Sequence, residues 1–337
     1  MLLGYYGYGN AGDEAVLYAI ARSLAGQGHR LGVLTASQEQ TEALLSPLKV
    51  KTFSRFSPSV LRGLLWCDLL LLGGGSLLQD VTGPNSLRYY LGLLKLAKFL
   101  GKPYAFFAQG LGPFTRKGSK AKVGESAKGA RLLSVRDGQS RQLLRELGAG
   151  PVELVADPVW ALPADQLAAE APLREPYILF ALRPWQGKEE RLCGALEKLR
   201  RESRLPFVFA AMQPQCDLPL ARRLAAELGG EVAAASDLPA LLGYFAQAQL
   251  VCAMRLHALI FAALLQRPAV AISYDPKVDA LVEELGLAGA DLEAPDLEAA
   301  VSQATAARPE QVRELKARAA SGLEGLAQLG RKLDGES

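Results

Sequence analysis

Short apolar runs alternate with longer amphipathic stretches along the whole chain. Runs such as DLLLLG (68–73) and YILFALR (177–183) carry few polar residues, which is typical of strands buried on both faces of a sheet. The stretches between them place apolar residues at helical spacing. This alternation predicts the α/β class, with parallel sheets covered by helices on both faces.

The apolar runs predict eleven strands and several helices between them. In the first half the predicted strands are 2–6, 30–35, 50–53, 68–73, 103–109, 132–137 and 152–156. In the second half they are 177–183, 207–212, 250–254 and 269–273. The predicted helices include 13–25, 58–66, 86–100, 138–147, 188–202 and 218–228.

The chain of 337 residues is long enough for two domains. A segment rich in proline and acidic residues, 157–176, separates the two halves. We predict two facing Rossmann-like domains, 1–160 and 176–310, joined by a linker over 161–175. The remaining stretch, 311–337, is predicted to be a helix that could dock back on the N-terminal domain. Ligands of such folds bind at the carboxyl ends of the strands, here expected in the cleft between the domains.

Charge is unevenly distributed. The net charge is +3, but residues 1–150 carry 19 Lys and Arg against 9 Asp and Glu, and the rest carries 19 against 26. The segment TRKGSKAKVGESAKGAR (115–131) holds six basic residues and one acid. It is either a solvated surface or a contact for anionic lipid headgroups or a diphosphate. Nucleic acid is disfavoured, because no aromatic residues interleave with these charges.

The sequence shows no signal for secretion, membrane insertion or disulfide formation. The first apolar run is short, and a Gly-rich loop follows it, so we expect no signal peptide. No apolar run is long enough to span a membrane. The four cysteines are scattered without metal-ligand or disulfide spacing. We therefore expect a cytoplasmic protein, with possible peripheral contact at the inner membrane face.

The first candidate site is the loop GYGNAGD (7–13), between a strand and a helix. Its glycines would let backbone amides face an anion, and Tyr8, Asn10 and Asp13 are candidate contacts. The spacing is not a dinucleotide fingerprint, because Gln38 stands where an acid would follow the next strand. A purely structural turn is the alternative.

Three further strands of the first half also end in small or polar residues. LLLLGGGSLLQD (69–80) contributes the candidates Gly74, Gly75, Ser76, Gln79 and Asp80. Asp80 is a candidate base, or only a residue that ties the loop down. The next two strands end at Gln109 and at Arg136 and Asp137, where a salt-bridged strand end is the simpler interpretation for the last pair. These loops are expected at one edge of the sheet.

The segment LVCAMRLHALIF (250–261) has the most specific chemistry. A buried strand here leads to Arg255 and His257 at the start of an apolar helix. Arg183 ends another strand of the same half. Two arginines and a histidine suit a compact anion that carries carboxylate and phosphate. A buried histidine bonded to backbone is the alternative for His257.

Several motifs together resemble the polysaccharide pyruvyl transferase family, and within it the CsaB-type bacterial enzymes. They are GYYGYGNAGDEAVL (4–17), GGGSLLQD (73–80), AQGLGPF (108–114), SVRD (134–137), RLH (255–257) and SYDPKVD (273–279). The resemblance implies a GT-B-like fold and transfer of pyruvate from phosphoenolpyruvate to a sugar as a cyclic ketal. For the CsaB type it implies β-N-acetylmannosamine of a lipid-diphosphate-linked cell-wall precursor, which becomes the ligand of S-layer homology domains.

The chemistry implied by the resemblance assigns roles to these residues. His257 would protonate the donor, Arg183 and Arg255 would hold its anionic groups, and the loops of the first half would line the acceptor. Asp13, Asp80 and Asp137 are candidate bases, with Asp80 preferred for its Gly-rich setting. No metal or other cofactor is required, and no acidic or histidine cluster has metal-ligand spacing.

Two other functions remain open. A nucleotide-sugar glycosyltransferase has the same architecture and uses an acidic residue to grip the ribose, for which Asp275 or Asp279 would serve. A catalytically silent carbohydrate-binding module is the third interpretation, and the paired Arg255 and His257 disfavour it.

Overall fold

The computed structural model describes residues 1–81, 84–171, 173 and 175–336. Two units are formed, one by Met1–Leu162 with Leu315–Ser337 and the other by Pro163–Glu314. Pro172 and Arg174 of the predicted linker and Ser337 of the predicted C-terminal helix lie outside the described residues. The described part of 163–175 belongs to the second unit, where the amide of Ala169 donates to the carbonyl of Pro239.

In the described residues, the N-terminal unit has one sheet of seven parallel strands, in the order β3-β2-β1-β4-β5-β6-β7. The strands are β1 (Leu2–Leu3), β2 (Gly32–Thr35), β3 (Lys51–Ser54), β4 (Leu70–Gly73), β5 (Tyr104–Gln109), β6 (Leu133–Val135) and β7 (Glu153–Leu154). The central strands are buried along their whole length, because helices cover both faces of a parallel sheet.

The helices of this unit follow the strands in turn. They are α1 (Ala11–Gly26), α2 (Gln38–Leu44), α3 (Ser59–Trp66), α4 (Pro84–Phe99), α5 (Ser119–Lys128) and α6 (Gly138–Glu146), with 3-10 helices at Ser46–Leu48 and Pro158–Ala161. Apolar side chains of α3, α4 and α5 share one core with β1 and β4, including Leu64, Leu94 and Val123. Val159 and Trp160 are buried, so the chain leaves this unit through a packed turn.

The C-terminal unit repeats the scheme with six parallel strands among the described residues, in the order β10-β9-β8-β11-β12-β13. The strands are β8 (Ile178–Ala181), β9 (Phe207–Phe209), β10 (Glu231–Val232), β11 (Leu250–Ala253), β12 (Ala269–Ser273) and β13 (Ala288–Asp291). The helices are α7 (Ala164–Leu167), α8 (Glu189–Glu202), α9 (Pro214–Leu228), α10 (Leu238–Gln247), α11 (Leu256–Leu264), α12 (Pro276–Leu285) and α13 (Leu297–Ser302).

The last helix, α14 (Pro309–Glu336), returns the chain to the N-terminal unit from Leu315 onward. Its small residues allow close packing, because a Cβ on Gly322 would lie 2.8 Å from a Val155 methyl. The carbonyl oxygen of Ala327 lies 3.2 Å from Nε2 of His29. The first of the chain's two histidines is thereby held against this helix.

Candidate functional site

The strand order of each sheet reverses at one point. In the N-terminal sheet this point lies between β1 and β4, and in the C-terminal sheet it lies between β8 and β11. Loops that leave neighbouring strands at such a reversal diverge and leave a crevice where α/β proteins bind ligands. Most of the predicted site residues follow these four strands, so each unit presents its candidates at its own switch point.

The loop after β1 differs from the expectation that its amides face an external anion. Asn10 caps α1 by accepting from the amide of Gly12 at 3.1 Å. The amide of Gly7 donates to Oε1 of Glu14 at 2.8 Å, and the amides of Tyr8 and Gly9 also bond to this carboxylate. The anion in the loop is therefore the chain's own Glu14, which the sequence analysis missed. Burial raises the pKa of Glu14 to about 7.

The loops after β4 and β5 run side by side. Gly110 donates to the carbonyl of Gly75 at 2.8 Å, and Gly112 donates to that of Leu78 at 2.9 Å. Gly74 has a φ of +68°, and a Cβ there would lie 2.2 Å from Val16 of α1. Both the backbone conformation and the close approach of α1 therefore require glycine.

Asp13 is brought to this double loop. A Cβ on Gly75, which has a φ of +76°, would lie 3.1 Å from Oδ1 of Asp13. The carboxylate of Asp13 is partly exposed and lies in the first turn of α1. Two segments that the sequence analysis treated separately, the first Gly-rich loop and the triple-glycine loop, thus meet at this carboxylate.

The other two candidate bases are held by the fold. Asp80 is buried and accepts from the amides of Thr115 at 2.6 Å and Arg116 at 3.0 Å. Hydrogen bonds from Ser119 and Thr115 hold its pKa well below the usual range. Asp137 caps α6 and accepts from the amide and hydroxyl of Ser140 at 2.7 and 2.9 Å. These contacts favour structural roles for both carboxylates.

Arg136 forms a buried ion pair with Asp157, a residue outside the pair Arg136 and Asp137 that the sequence singled out. Its Nη2 also donates to the hydroxyl of Ser76 at 3.1 Å. The structure therefore unites Ser76 and Arg136, two candidates 60 residues apart. Asp157 was not predicted as a partner, because it lies 21 residues from Arg136 at the start of the Pro- and acid-rich segment 157–176.

The two glutamines support the loops. The Nε2 atom of Gln109 donates to the carbonyls of Leu72 and Gly74, both at 3.0 Å, and the side chain is fully buried. Gln79 accepts from the amide of Val81 at 2.8 Å. Both amides shape the carboxyl edge of the sheet.

Tyr8 belongs to an aromatic group that surrounds Arg55, a residue the sequence analysis did not single out. The Tyr8 ring stacks on Tyr5 at 4.1 Å between centroids. The guanidinium carbon of Arg55 lies 5.2 Å from the Tyr8 ring and 4.5 Å from the Tyr89 ring. The segments that carry these rings are distant in sequence, which is why no local pattern revealed the group.

In the C-terminal unit, Arg255 and His257 begin α11. Arg255 is the N-cap residue and His257 lies in the first turn, half-buried. The guanidinium of Arg255 is buried and forms an ion pair with Asp217 of α9. Asp217 is itself fully buried and accepts from the amide of Gln213 at 2.8 Å. This pairing fixes the orientation of Arg255 and compensates much of its charge.

Arg183 occupies the matching position after the neighbouring strand. Ala181 of β8 is the register partner of Ala253 of β11, so Arg183 and Arg255 stand two residues past paired positions. The guanidinium of Arg183 lies 5.1 Å from the Trp185 ring and 5.7 Å from the Tyr274 ring. Among the described residues it has no carboxylate partner, so it keeps its full charge.

The rings that hold Arg183 also line a cavity of about 370 Å³ in this unit. Asp275 and Asp279, the ribose-gripping candidates, line it too. Oδ1 of Asp275 caps α12 by accepting from the amide of Lys277 at 2.8 Å, and Asp279 accepts from the hydroxyl of Ser273. Both carboxylates are engaged within the protein, and no described group of three acidic, histidine or cysteine side chains has the arrangement of a metal site.

Solved structures with a similar fold share little sequence with this chain. UDP-GlcNAc 2-epimerase from Neisseria meningitidis bound to UDP-GlcNAc matches with a TM-score of 0.64 at 11% identity, over 98% of this chain and 99% of that one. A putative UDP-N-acetylglucosamine 2-epimerase from Listeria monocytogenes gives 0.62 at 12%, over 95% and 92%. Anabaena Alr3699/HepE in complex with UDP gives 0.56 at 14%, over 99% of both chains. These likenesses confirm the predicted GT-B-like class of two parallel-sheet units.

Sequence comparison gives a more specific result. No sequence among the curated proteins matches. Over the described part of the chain, no helix is both long and apolar enough to cross a lipid bilayer. The family model for polysaccharide pyruvyl transferase matches residues 10–276, which include every predicted site residue except Tyr8 and the ribose-gripping candidate Asp279. The chain therefore belongs to the polysaccharide pyruvyl transferase family.

Proposed function

We propose that this protein transfers the pyruvyl group of phosphoenolpyruvate to a sugar of a polysaccharide precursor and closes it as a cyclic ketal. The observation that carries the proposal is the group at the switch point of the C-terminal sheet. Arg183 and Arg255 follow neighbouring strands in register, and His257 lies two residues after Arg255. Family membership supplies the reaction class, and this group supplies the residues for an anionic donor.

Phosphoenolpyruvate carries a carboxylate and a phosphate, so its binding needs more than one cation. Arg183 provides an uncompensated charge held by two rings, and cation–π contacts keep the guanidinium in place without neutralising it. Arg255 provides donors whose direction is fixed by Asp217. The N-terminus of α11, which begins just after Arg255, adds a favourable potential for an anion.

The reaction needs a proton at C3 of the donor. In our proposal His257 gives a proton to C3, and C2 becomes electrophilic. One sugar hydroxyl attacks C2, the bond between C2 and the phosphate oxygen breaks, and a neighbouring hydroxyl closes the ketal. Of the two hydroxyl protons, one balances the proton delivered to C3 and the other leaves with inorganic phosphate. An anionic donor beside His257 favours the charged imidazole that this step needs.

The hydroxyl protons require a base, and Asp13 fits this role better than Asp80. Asp13 lies beside Gly75 at the switch point of the N-terminal sheet and is partly exposed. Asp80 is buried and anchors the chain at Thr115 and Arg116, and Asp137 caps α6. We therefore move the proposed base from Asp80 to Asp13.

The acceptor that we propose is β-N-acetylmannosamine of a lipid-diphosphate-linked cell-wall precursor, whose ketal S-layer homology domains would bind. The exposed lysines of 115–131 support a peripheral contact with an anionic membrane surface. Lys117, Lys120 and Lys122 all point to solvent, and each basic residue near such a surface contributes about 1 kcal/mol of attraction.

The test combines binding with product analysis. Thermal-shift titration should show stabilisation by phosphoenolpyruvate and none by a panel of nucleotide sugars. Incubation with phosphoenolpyruvate and an N-acetylmannosamine-terminated acceptor should release phosphate and raise the product mass by one pyruvic acid less one water. Stabilisation by UDP-sugars with glycosyl transfer would instead establish the glycosyltransferase alternative.

A further inference from the structure

Arg55 is a buried cation of the N-terminal unit. It follows β3, and only 7% of its surface is exposed. Its Nη1 donates to the carbonyl of Gly4 at 3.1 Å, whereas its Nε has no acceptor among the described residues. No carboxylate of the described chain pairs with it. Buried charges are normally paired because desolvation is costly, so this arrangement requires an explanation.

Four aromatic rings surround the guanidinium. Its carbon lies 4.5 Å from the ring of Tyr89, 5.2 Å from Tyr8, 5.6 Å from Tyr90 and 5.9 Å from Phe56. The ring faces partly replace the lost hydration through their quadrupoles. They contribute no charge, and the site therefore keeps a full positive charge in surroundings that strengthen its attraction for an anion.

A second donor in this group also lacks an acceptor. The buried hydroxyl of Tyr89 lies beside the Arg55 guanidinium, and its proton has no acceptor among the described residues. Buried hydroxyls are rarely left unpaired in folded proteins. An oxyanion at this position would accept from both Arg55 and Tyr89, and it would remove both unpaired donors at once.

The location of Arg55 connects this group with the acceptor side. Its amide donates to the carbonyl of Thr35 at the end of β2, and its guanidinium reaches Gly4 at the end of β1. Tyr8 belongs to the loop 7–13. The group therefore lies at the carboxyl edge of the N-terminal sheet, in the other unit from Arg183 and Arg255.

We propose that Arg55 and Tyr89 bind a phosphoryl group of a sugar phosphate or diphosphate, and that Tyr8 packs against the attached sugar. A phosphoryl group is favoured over a carboxylate because its additional oxygens can accept from the guanidinium and the hydroxyl together. The identification of this ligand with the acceptor rests on the proposed function. The existence of the phosphoryl site does not.

Binding of inorganic diphosphate, measured by calorimetry at low salt, tests the site. The titration is done in the Arg183→Gln variant, so that the proposed donor site cannot contribute. Adding Arg55→Gln should weaken diphosphate binding about tenfold or more, as expected for loss of a charge-assisted pair. Arg55→Lys should bind diphosphate with an affinity between those of Arg55 and Arg55→Gln, since a point charge replaces the planar guanidinium. Tyr89→Phe should lower the affinity less than Arg55→Gln does. The control Arg62→Gln, which removes the same charge from the exposed face of α3, should change nothing.

A second measurement does not depend on any Arg55 variant folding well. In the nuclear magnetic resonance spectrum of the wild-type protein, the Nε–H signal of Arg55 should shift in a saturable manner with diphosphate. Unchanged affinity in Arg55→Gln, or an unmoved Nε–H signal, would overturn the site and leave Arg55 as a clamp on Gly4. If the wild-type protein binds diphosphate at Arg55 but does not bind phosphoenolpyruvate, the proposed donor is contradicted and the phosphoryl site at Arg55 is still supported.

Discussion

The two units hold their arginines in two different ways, and each unit uses both. Arg136 and Arg255 are paired with buried aspartates, which fix their direction and compensate their charge. Arg55 and Arg183 lie among aromatic rings with no carboxylate partner in the described chain. A paired arginine is already satisfied within the protein, whereas one held by rings remains attractive to a ligand anion. In the proposed function, Arg183 supplies an uncompensated charge for the donor, and Arg255 supplies hydrogen-bond donors of fixed direction.

The titratable side chains near the switch points differ between the units. The C-terminal switch point carries His257, whereas the N-terminal one carries the carboxylates Asp13 and Glu14. The other histidine, His29, contacts Ala327 of the last helix, away from the loops that follow β1 and β4.

The largest effect is expected from His257. His257→Ala should lower turnover by about 10²–10⁴-fold with phosphoenolpyruvate affinity nearly unchanged, as for loss of a general acid. Turnover and donor affinity should be measured separately, with His29→Gln as the matched control. Near-normal turnover in His257→Ala would remove this histidine from the chemistry.

The second prediction concerns Arg255, one of the arginines paired with a buried carboxylate. Asp217→Ala leaves Arg255 buried and unpaired, and we expect the free energy of unfolding to fall by about 3–5 kcal/mol. Denaturant unfolding measures this loss. The control Glu190→Ala removes the partner of Arg223 in an exposed pair and should cost about 0–1 kcal/mol. Equal losses in both variants would contradict a special role for the buried pair.

The third prediction uses the loop carboxylate Glu14. Its pKa of about 7 lies above the ordinary value of 4.5, so the folded state holds the proton more tightly than the unfolded state. Its contribution to stability is therefore fully present below pH 4.5 and is lost as the pH rises through 7, to a total of up to about 3 kcal/mol. Glu14→Gln should flatten the dependence of stability on pH over this window, and Glu39→Gln, on the surface, should not. A pH profile unchanged by Glu14→Gln would show that the carboxylate is not buried as described.

The smallest effect per replaced residue is expected for vesicle binding by the basic segment 115–131. Replacing Lys117, Lys120 and Lys122 with glutamine should reduce sedimentation of the protein with anionic vesicles. Added salt should also weaken vesicle binding of the wild-type protein, because the Debye length falls to about 3 Å at 1 M salt. Activity on a short water-soluble acceptor should be spared. The control replaces Lys198, Arg201 and Arg204, which are also exposed. Binding that survives the first triple replacement would make the segment an ordinary solvated surface.

Much of the fold follows from the apolar runs, because a strand buried on both faces leaves a strong local pattern. The eleven predicted strands all occur: nine are shorter than predicted, β12 has the predicted bounds, and β3 is shifted by one residue. β10 and β13 were missed, since Glu231–Val232 is very short and AGAD (288–291) is small and polar. Edge strands of this kind are defined by their neighbours in the sheet rather than by their own hydrophobicity.

The candidate site was predictable only in outline. The ends of the strands identified Arg183, Arg255 and Asp13, because the carboxyl edge of a parallel sheet follows directly from strand order. The partners of these residues were not predictable. Asp217 is 38 residues from Arg255 in sequence, and the rings around Arg55 come from three separate segments, so only the folded chain reveals which arginines are compensated.

Calorimetric titration of phosphoenolpyruvate into the wild type, Arg183→Gln and Arg183→Lys tests whether Arg183 binds the donor. We expect the glutamine variant to bind about 10–150-fold more weakly, the equivalent of about 1.5–3 kcal/mol for a charge-assisted pair, and the lysine variant to recover part of the affinity. The control Arg191→Gln, which replaces an exposed arginine paired with Glu293, should bind phosphoenolpyruvate as the wild type does. If Arg183→Gln binds phosphoenolpyruvate as tightly as the wild type, the arginine held by Trp185 and Tyr274 is not the donor-binding cation.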